Sequence, residues 1–478
     1  MHVFINGSSR WLNPHLRKYI LDYVPDAIFY DSFEDFPEGP LEESFQFLDG
    51  WEIGGNFAII NNSKNGLINA YPSSDALARK DYLARVVDFW RAKRPQSKLP
   101  DHVPITVRLS LDYAEFVDES LTAADDLSLL YSLEQNEDRE PKERDWWILK
   151  PALIDCGAGI RIFSTVEELA SHLELAEYEY TDDDEEEEEE EKEEEGAVAE
   201  KEKNGVSLSL PALNSLDALV TTVSGLGLDD KKAQAEGRGD QKRVQYVFKK
   251  DGRIPSAQMR EFVAQQYIVR IPPVEGKKWH VRAYVLAMGR LKVHVFRELL
   301  ALLACEDYQP PWENPSLRSS LTNTALQDED EFVSNESMRD FWSDAVPEKL
   351  LADGWKESVW DQICDVTAEL FKAAAHTMAD KFNTVNKSFE LFAADFLVDD
   401  NGRVWLLEVN ETPAFYNHDK AGELALRLME SVIFAAMEHM GKAQAADDKL
   451  EAIRDRFVKV LDETENLPKS KIVEINCD

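Results

Sequence analysis

The stretch Ser388–Pro413, SFELFAADFLVDDNGRVWLLEVNETP, decides how this chain is read. Two apolar runs, Leu391–Val398 and Val404–Val409, flank Asp-Asp-Asn-Gly, a hairpin-turn signal because Asn and Gly both tolerate positive φ. With Asn401-Gly402 as a two-residue turn, Asp395 faces Glu408 directly and Asn410 follows Glu408 on the same face. Two carboxylates opposed in an otherwise apolar sheet repel one another unless a cation sits between them. Hard oxygen ligands of this kind suit Mg²⁺, which prefers one or two carboxylates plus phosphate oxygens to a full protein cage. The spacing points to a nucleotide–metal site, with two solvated acids in an ordinary hairpin as the plain alternative.

Working outward, 478 residues exceed one typical core and predict two or three lobes, and an apolar fraction of 44% is that of a globular protein. A net charge of −39 argues against nucleic acid or anionic membrane as a direct partner, since phosphate binding needs Lys/Arg clusters. Cys156, Cys305, Cys364 and Cys477 show no C-x-x-C spacing, which fits free thiols in a reducing compartment better than disulfides or zinc. The N-terminus has no apolar signal-like core and no run of 18 apolar residues occurs, so a soluble cytoplasmic protein is expected.

Residues 1–72 alternate short apolar runs with Pro/Gly turns and predict a small N-terminal α/β lobe. A central lobe over 73–290 begins with a helix at Asp75–Arg91. It continues through strands at Val103–Leu111 and Trp146–Leu149, an acidic loop at Asp118–Arg144, a strand at Gly159–Phe163 and a helix at Val166–Leu175. Asp182–Glu195 then holds 13 acidic residues and one lysine, a density that cannot collapse, so about 178–243 is expected to be a disordered insertion. Order should resume with a helix near Ser256–Val263 and strands Ala264–Val269, Trp279–Met288 and Lys292–Arg297. A C-terminal lobe, 291–470, would carry helices over Ser337–Asn383, the hairpin, and helices near Glu423–His439 and Leu450–Leu461, leaving 471–478 as a tail.

Other segments carry chemistry of their own. Trp147-Ile148-Leu149-Lys150 ends an apolar strand on a lysine, and Cys156-Gly157-Ala158-Gly159-Ile160 follows as a glycine loop. Gly157 and Gly159 would let backbone N–H groups approach phosphate oxygens closely while Lys150 supplies the charge; an ordinary hairpin turn is the alternative. On the strand Lys278-Trp279-His280-Val281-Arg282, the three polar side chains share one face, and two cations there need phosphate or carboxylate.

These segments, in order along the chain, resemble the tubulin-tyrosine ligase family of ATP-grasp ligases. The wording FELFAADFLVDDNGRVWLLEVNETPA resembles its metal hairpin, and Val293-His294-Val295-Phe296-Arg297-Glu298 its strand ending in Tyr/Phe-Arg-Glu. Leu321-Thr322-Asn323-Thr324-Ala325-Leu326-Gln327 is similar to its Leu-Thr-Asn-x-x-Ile-Gln, and Arg79-Lys80 to its Arg-Lys pair. Read without the resemblance, Arg297–Glu298 is equally an ion pair, Thr322–Asn323 a helix cap, and Lys80 part of a solvated helix face. Cys156 and His280 depart from the family, which carries a basic residue and an aspartate at those places.

The resemblance implies an α+β ATP-grasp fold, with nucleotide between the central and C-terminal lobes, and ATP-dependent ligation of an amine to a protein carboxylate through an acyl phosphate. Tyrosine is the implied amino acid. By the same resemblance Asp395, Glu408 and Asn410 hold Mg²⁺, and Lys80, Lys150 and Lys278 meet the phosphates under the loop of Gly157 and Gly159. Gln265, Tyr267 and Ile268 line the adenine, Thr322 and Asn323 complete the nucleotide site, and Arg282 and Arg297 orient the acceptor carboxylate and stabilise the transferring phosphoryl group. An acidic tubulin tail is one implied acceptor. The alternatives are a glutamate ligase, or a non-catalytic ATP-binding module like the fungal ligase-like branch associated with mRNA processing bodies and decapping proteins.

Overall fold

The computed structural model describes residues 1–7, 9–37, 39–49, 57–111, 116–153, 160–175, 261–314, 317–320, 322, 337–415, 417, 419–443 and 448–467. The expected disordered insertion, the glycine loop with Cys156, Gly157 and Gly159, Asn323 and the C-terminal tail lie outside the described residues.

The chain opens with β1 (His2–Asn6), α1 (Asn13–Tyr23), β2 (Ile28–Tyr30), β3 (Glu43–Leu48), α2 (Phe57–Asn62) and β4 (Asn65–Ile68). The four strands form a parallel sheet in the order β2-β1-β3-β4. Two short helices, α3 (Asp75–Ala78) and α4 (Lys80–Lys93), then lead into a second sheet of β5 (Thr106–Ser110), β6 (Trp147–Pro151), β7 (Arg161–Phe163) and β8 (Glu261–Gln266), ordered β5-β8-β6-β7 and antiparallel. The acidic stretch read as a loop contains α5 (Val117–Ala123) and α6 (Ser128–Asn136). Their buried Val117, Leu121, Leu129 and Leu133 join α7 (Val166–Leu175) on one face of this sheet, so burial overrides the local charge.

The third sheet is built on β9 (Lys277–Met288). It also holds β10 (Lys292–Phe296), β11 (Leu300–Asp307), β12 (Met338–Asp340), β13 (Phe389–Val398), β14 (Val404–Asn410) and β15 (Phe457–Asp462). Val285–Met288 pair with both β10 and β13, and Val281 and Arg282 pair with both β11 and β13. A strand has two edges, so β10 and β11 run in succession along one edge of β9 while β13 occupies the other. The boundary expected at 290 falls between β9 and β10, which are hydrogen-bonded neighbours.

Helix α8 (Trp355–Thr377) and α4 cover one face, burying Val281, Ala283, Val285, Phe392 and Phe396. Helix α9 (Asp419–His439) and the N-terminal lobe cover the other, burying Tyr284, Leu286, Phe389 and Leu391. The helix expected over Leu450–Leu461 ends early: α10 (Asp448–Arg454) stops, and Phe457–Asp462 adds to β10 as a strand. The expected helix near Ser256–Val263 gives way at its described end to β8. Among the described residues no helix is long and apolar enough to cross a membrane.

Candidate functional site

The hairpin pairs Asp395 with Glu408, and the structure shows how. Asp399 N–H donates to Arg403 O, and Gly402 at φ +75° closes a three-residue loop rather than the two-residue turn expected. Near the loop Val398 faces Val404, Leu397 faces Trp405 and Phe396 faces Leu406, but a β-bulge then shifts the register so that Asp395 meets Glu408. Without that extra residue Glu408 would oppose Ala394, on the apolar face packed by α8. The bulge turns Glu408 to the face that carries Asp395.

Asp395 also pairs with Arg282 on β9, so Glu408, Asp395 and Arg282 form a row across three adjacent strands. Arg282 donates from Nε to Asp395 Oδ1 at 2.9 Å and from Nη2 to Oδ2 at 2.8 Å, a bidentate fork. His280 Nε2 lies 3.4 Å from Oδ1, and Asn410 Nδ2 lies 3.4 Å from Oδ2. Burial alone would raise the Asp395 carboxyl, but the Arg282 guanidinium, then His280, outweigh it and hold it below the usual carboxylate range. His280 Nδ1 meets the Thr322 hydroxyl, so Thr322 reaches this group through the imidazole.

The second sheet faces the row with its other set of side chains. Lys150 is 8% exposed and donates to Gln265 Oε1 at 2.9 Å, while Gln265 Nε2 donates to Thr106 Oγ1 at 3.2 Å. Lys80 opens α4, where its backbone N–H donates to Ala152 O, and its ammonium stands 3.7 Å from Glu408 Oε2. Lys80, Lys150, Gln265 and Glu408 line one cleft with Leu77, Leu83, Val263 and Val409, between the two sheets. Burial pushes the Lys150 ammonium down to about 8, with Glu408 opposing that shift and Lys80 adding to it.

Lys278 is 4% exposed, and among the described residues no carboxylate lies within ion-pair reach of it. Its ammonium instead sits 3.7 Å from the Tyr267 ring centroid and 5.9 Å from that of Tyr308. Burial, then Lys150, depresses it well below an ordinary lysine. Tyr267 packs with Trp146, Ile148 and Ile162, and Ile268 is half-buried beside it. Tyr308 was not legible as a site residue, because nothing local distinguishes it from any loop tyrosine.

Arg297 is placed elsewhere. Its guanidinium stacks 4.1 Å from the Trp342 ring and 4.4 Å from the Trp360 ring, on the α8 side of the sheet, whereas Arg282 projects from the opposite face. This separates the two arginines expected to act together, because the break between β10 and β11 redirects residue 297. Glu298 binds Arg427 on α9 rather than Arg297.

The donor set fits Mg²⁺: two carboxyl groups opposed across a hairpin, plus an amide. Among the described residues no cluster of three or more His, Cys, Asp or Glu is placed to hold a metal ion. Lys80, Lys150 and Lys278 could hold the phosphates.

Comparison with known proteins gives the family and the fold. The model of the tubulin-tyrosine ligase family matches residues 59–196 and 231–444. A probable tubulin–tyrosine ligase of Schizosaccharomyces pombe is 32% identical over 437 residues, covering 91% of this chain and 90% of that protein. The probable tubulin–tyrosine ligase PBY1 of Saccharomyces cerevisiae is 26% identical over 466 residues, covering 93% of this chain but 52% of its own length. Among solved structures, the C-terminal domain of K. lactis Pby1, an ATP-grasp enzyme interacting with the mRNA decapping enzyme Dcp2, superposes with a TM-score of 0.59 at 22% identity. The alignment covers 96% of this chain and 99% of that domain, so the fold is ATP-grasp. With the family model spanning most of its length, the chain belongs to the tubulin-tyrosine ligase family.

Proposed function

We propose that this protein binds ATP with Mg²⁺ and joins an amino acid, tyrosine by family resemblance, to a protein carboxylate through an acyl phosphate, releasing ADP and phosphate. The observation that carries this reading is the row Glu408–Asp395–Arg282 with two buried lysines, Lys150 across the cleft and Lys278 on the same face of β9 as Arg282. Two ammonium groups are kept from water, burial depresses both, and Lys80 adds to the shift at Lys150 as Lys150 does at Lys278, which is unfavourable unless an anion such as a polyphosphate completes the site. Asp395, Glu408 and Asn410 would hold Mg²⁺, which supplies charge neutralisation on the phosphates when bound. Lys80 and Lys150 would grip phosphate oxygens, and Gln265 would meet the base or hand Lys150 over to the nucleotide. Arg282 fixes the Asp395 carboxylate and presents its remaining N–H groups to an acceptor carboxylate.

A second reading is supported by that same fork. Both Asp395 oxygens are already engaged by Arg282, and His280 stands against one of them, which favours a nucleotide-binding module acting through protein contacts. Such contacts would include decapping or processing-body proteins, as the name of the K. lactis relative suggests for that protein. Incubation with ATP, Mg²⁺, labelled tyrosine or glutamate and acceptor peptides ending in acidic tails separates the two. Amide product from the wild type, absent in Glu408→Gln, supports the ligase. Tight MgATP binding without amide product from any acceptor supports the module, and no MgATP binding at millimolar concentration refutes both.

A further inference from the structure

Behind the hairpin, on the face opposite Asp395, lies a polar cluster that the ligand reading does not use. Glu390 on β13 is 5% exposed and Ser74, just before α3, is 7% exposed. Tyr71 N–H donates to Glu390 Oε2 at 3.0 Å. Ser74 Oγ lies 2.9 Å from Glu390 Oε1 and also 2.9 Å from Oε2 of Glu411, the residue after Asn410. A serine hydroxyl carries one proton, and an ionised carboxylate offers none. Two contacts of this length from one oxygen to two carboxyl groups need a second proton, and it belongs on the carboxyl that is shut away from water, because burial penalises the charged form.

We propose that Glu390 is a neutral carboxylic acid that donates to Ser74 Oγ, whose hydroxyl donates in turn to Glu411, and that this chain is the positioning device for the segment carrying Lys80. The inference rests on the nucleotide reading only for its consequence at Lys80; the proton chain stands on its own geometry. The chain ties β13 and the end of β14 to residues 71–78, and Lys80 follows within the same segment, 3.7 Å from Glu408. Backbone bonds reinforce the attachment: Ala76 N–H donates to Lys381 O and Asn383 N–H to Ser73 O, while the Tyr71 hydroxyl donates to Gly289 O.

The groups that face Glu390 agree. Burial, then Glu411 and Asp75, raise its carboxyl to about 8 against the Tyr71 N–H and the Ser74 hydroxyl. From β9 its neighbour is Ala287, and the Lys381 ammonium is directed to the Tyr82 ring instead. Ionising Glu390 would set two carboxylates against one hydroxyl and loosen the segment.

The test is Glu390→Gln, whose carbonyl can accept from Tyr71 and whose amide can donate to Ser74, against Glu390→Ala, which can do neither. A folded-state value above the ordinary 4.5 means stability is lost as pH rises from about 4.5 to about 8. The unfolding constants of wild type and Glu390→Gln should therefore diverge about tenfold per pH unit in that window, in favour of the amide. The protection of amides 71–83 against exchange, taken relative to the base-catalysed intrinsic rate, should fall in the wild type above pH 8 and stay constant in Glu390→Gln. The infrared band of a protonated carboxylic acid, read on the wild type alone at pH 7, should titrate near pH 8 and serves if neither variant folds. A pH-independent stability difference, or no protonated carboxyl at pH 7, overturns the proposal. MgATP affinity, equal for wild type and Glu390→Gln at pH 6.5, should favour the amide variant by up to about tenfold at pH 9; an unchanged ratio overturns the positioning role. Divergent stability and exchange with no MgATP binding in either protein leaves the proton chain supported and refutes the nucleotide reading instead.

Discussion

Replacing Lys150 by Met should stabilise the ligand-free protein while removing most of its response to MgATP. Burial lowers the Lys150 ammonium from 10.5 to about 8. At about 1.36 kcal/mol per pKa unit, keeping its proton at pH 7 costs the folded state roughly 3 kcal/mol. Methionine removes that cost, retains most of the aliphatic packing, and forfeits the 2.9 Å bond to Gln265, worth about 1 kcal/mol. The expected net gain is about 2 kcal/mol, or roughly 2 °C in Tm for a chain of this size. The wild type should gain about 2.7 kcal/mol at a hundredfold excess of MgATP over its Kd, and Lys150→Met much less. The pH dependence has a definite sign: a lysine with a depressed folded value destabilises below about 8, and the penalty disappears as pH rises to 10.5. The wild type should therefore close the gap on the variant between those limits. Differential scanning fluorimetry at pH 7 and pH 10, with and without MgATP, reads all of this. A ligand-free variant less stable than wild type at pH 7, with an undiminished MgATP shift, would refute the reasoning.

Two further substitutions probe the remaining arginines. Arg282→Ala strips a 3% exposed Asp395 of its bidentate partner and should cost about 3–5 kcal/mol in urea unfolding. It should also flatten the acid limb, since a depressed carboxylate contributes stability that is lost as pH falls; an unchanged acid limb would show that Arg282 does not hold Asp395 ionised. Arg297→Ala should lower stability by about 1–2 kcal/mol through lost stacking on Trp342 and Trp360 yet keep the MgATP-induced Tm shift, and loss of that shift would place Arg297 in the site after all.

The residues that the structure gathers were legible where a short-range rule governs them. Turn chemistry and strand alternation placed Asp395 opposite Glu408 and set Lys278 and Arg282 on one face, because the period of two is a property of the backbone itself. The same rule misjudged the loop by one residue. The bulge at Leu407 compensated, and a bulge depends on which face the hydrophobic core covers. Strand β11, Leu300–Asp307, went unread because a run buried on both faces carries no alternation. Phe457–Asp462, read as helix, became a strand because the open edge of β10 accepts it.

The sequence by itself determined the hairpin pairing, the strand that carries Lys150 and the membership of the family, since each rests on neighbours within a few residues or on ordered motifs. Only the tertiary structure decided that Arg282 grips Asp395, that Arg297 turns away between two tryptophans, and that Tyr308 shares Lys278 with Tyr267. It also decided that Ser74 joins Glu390 to Glu411 across more than 300 positions. These contacts arise where separate strands and helices meet, and no local periodicity records which partner a buried charge will find.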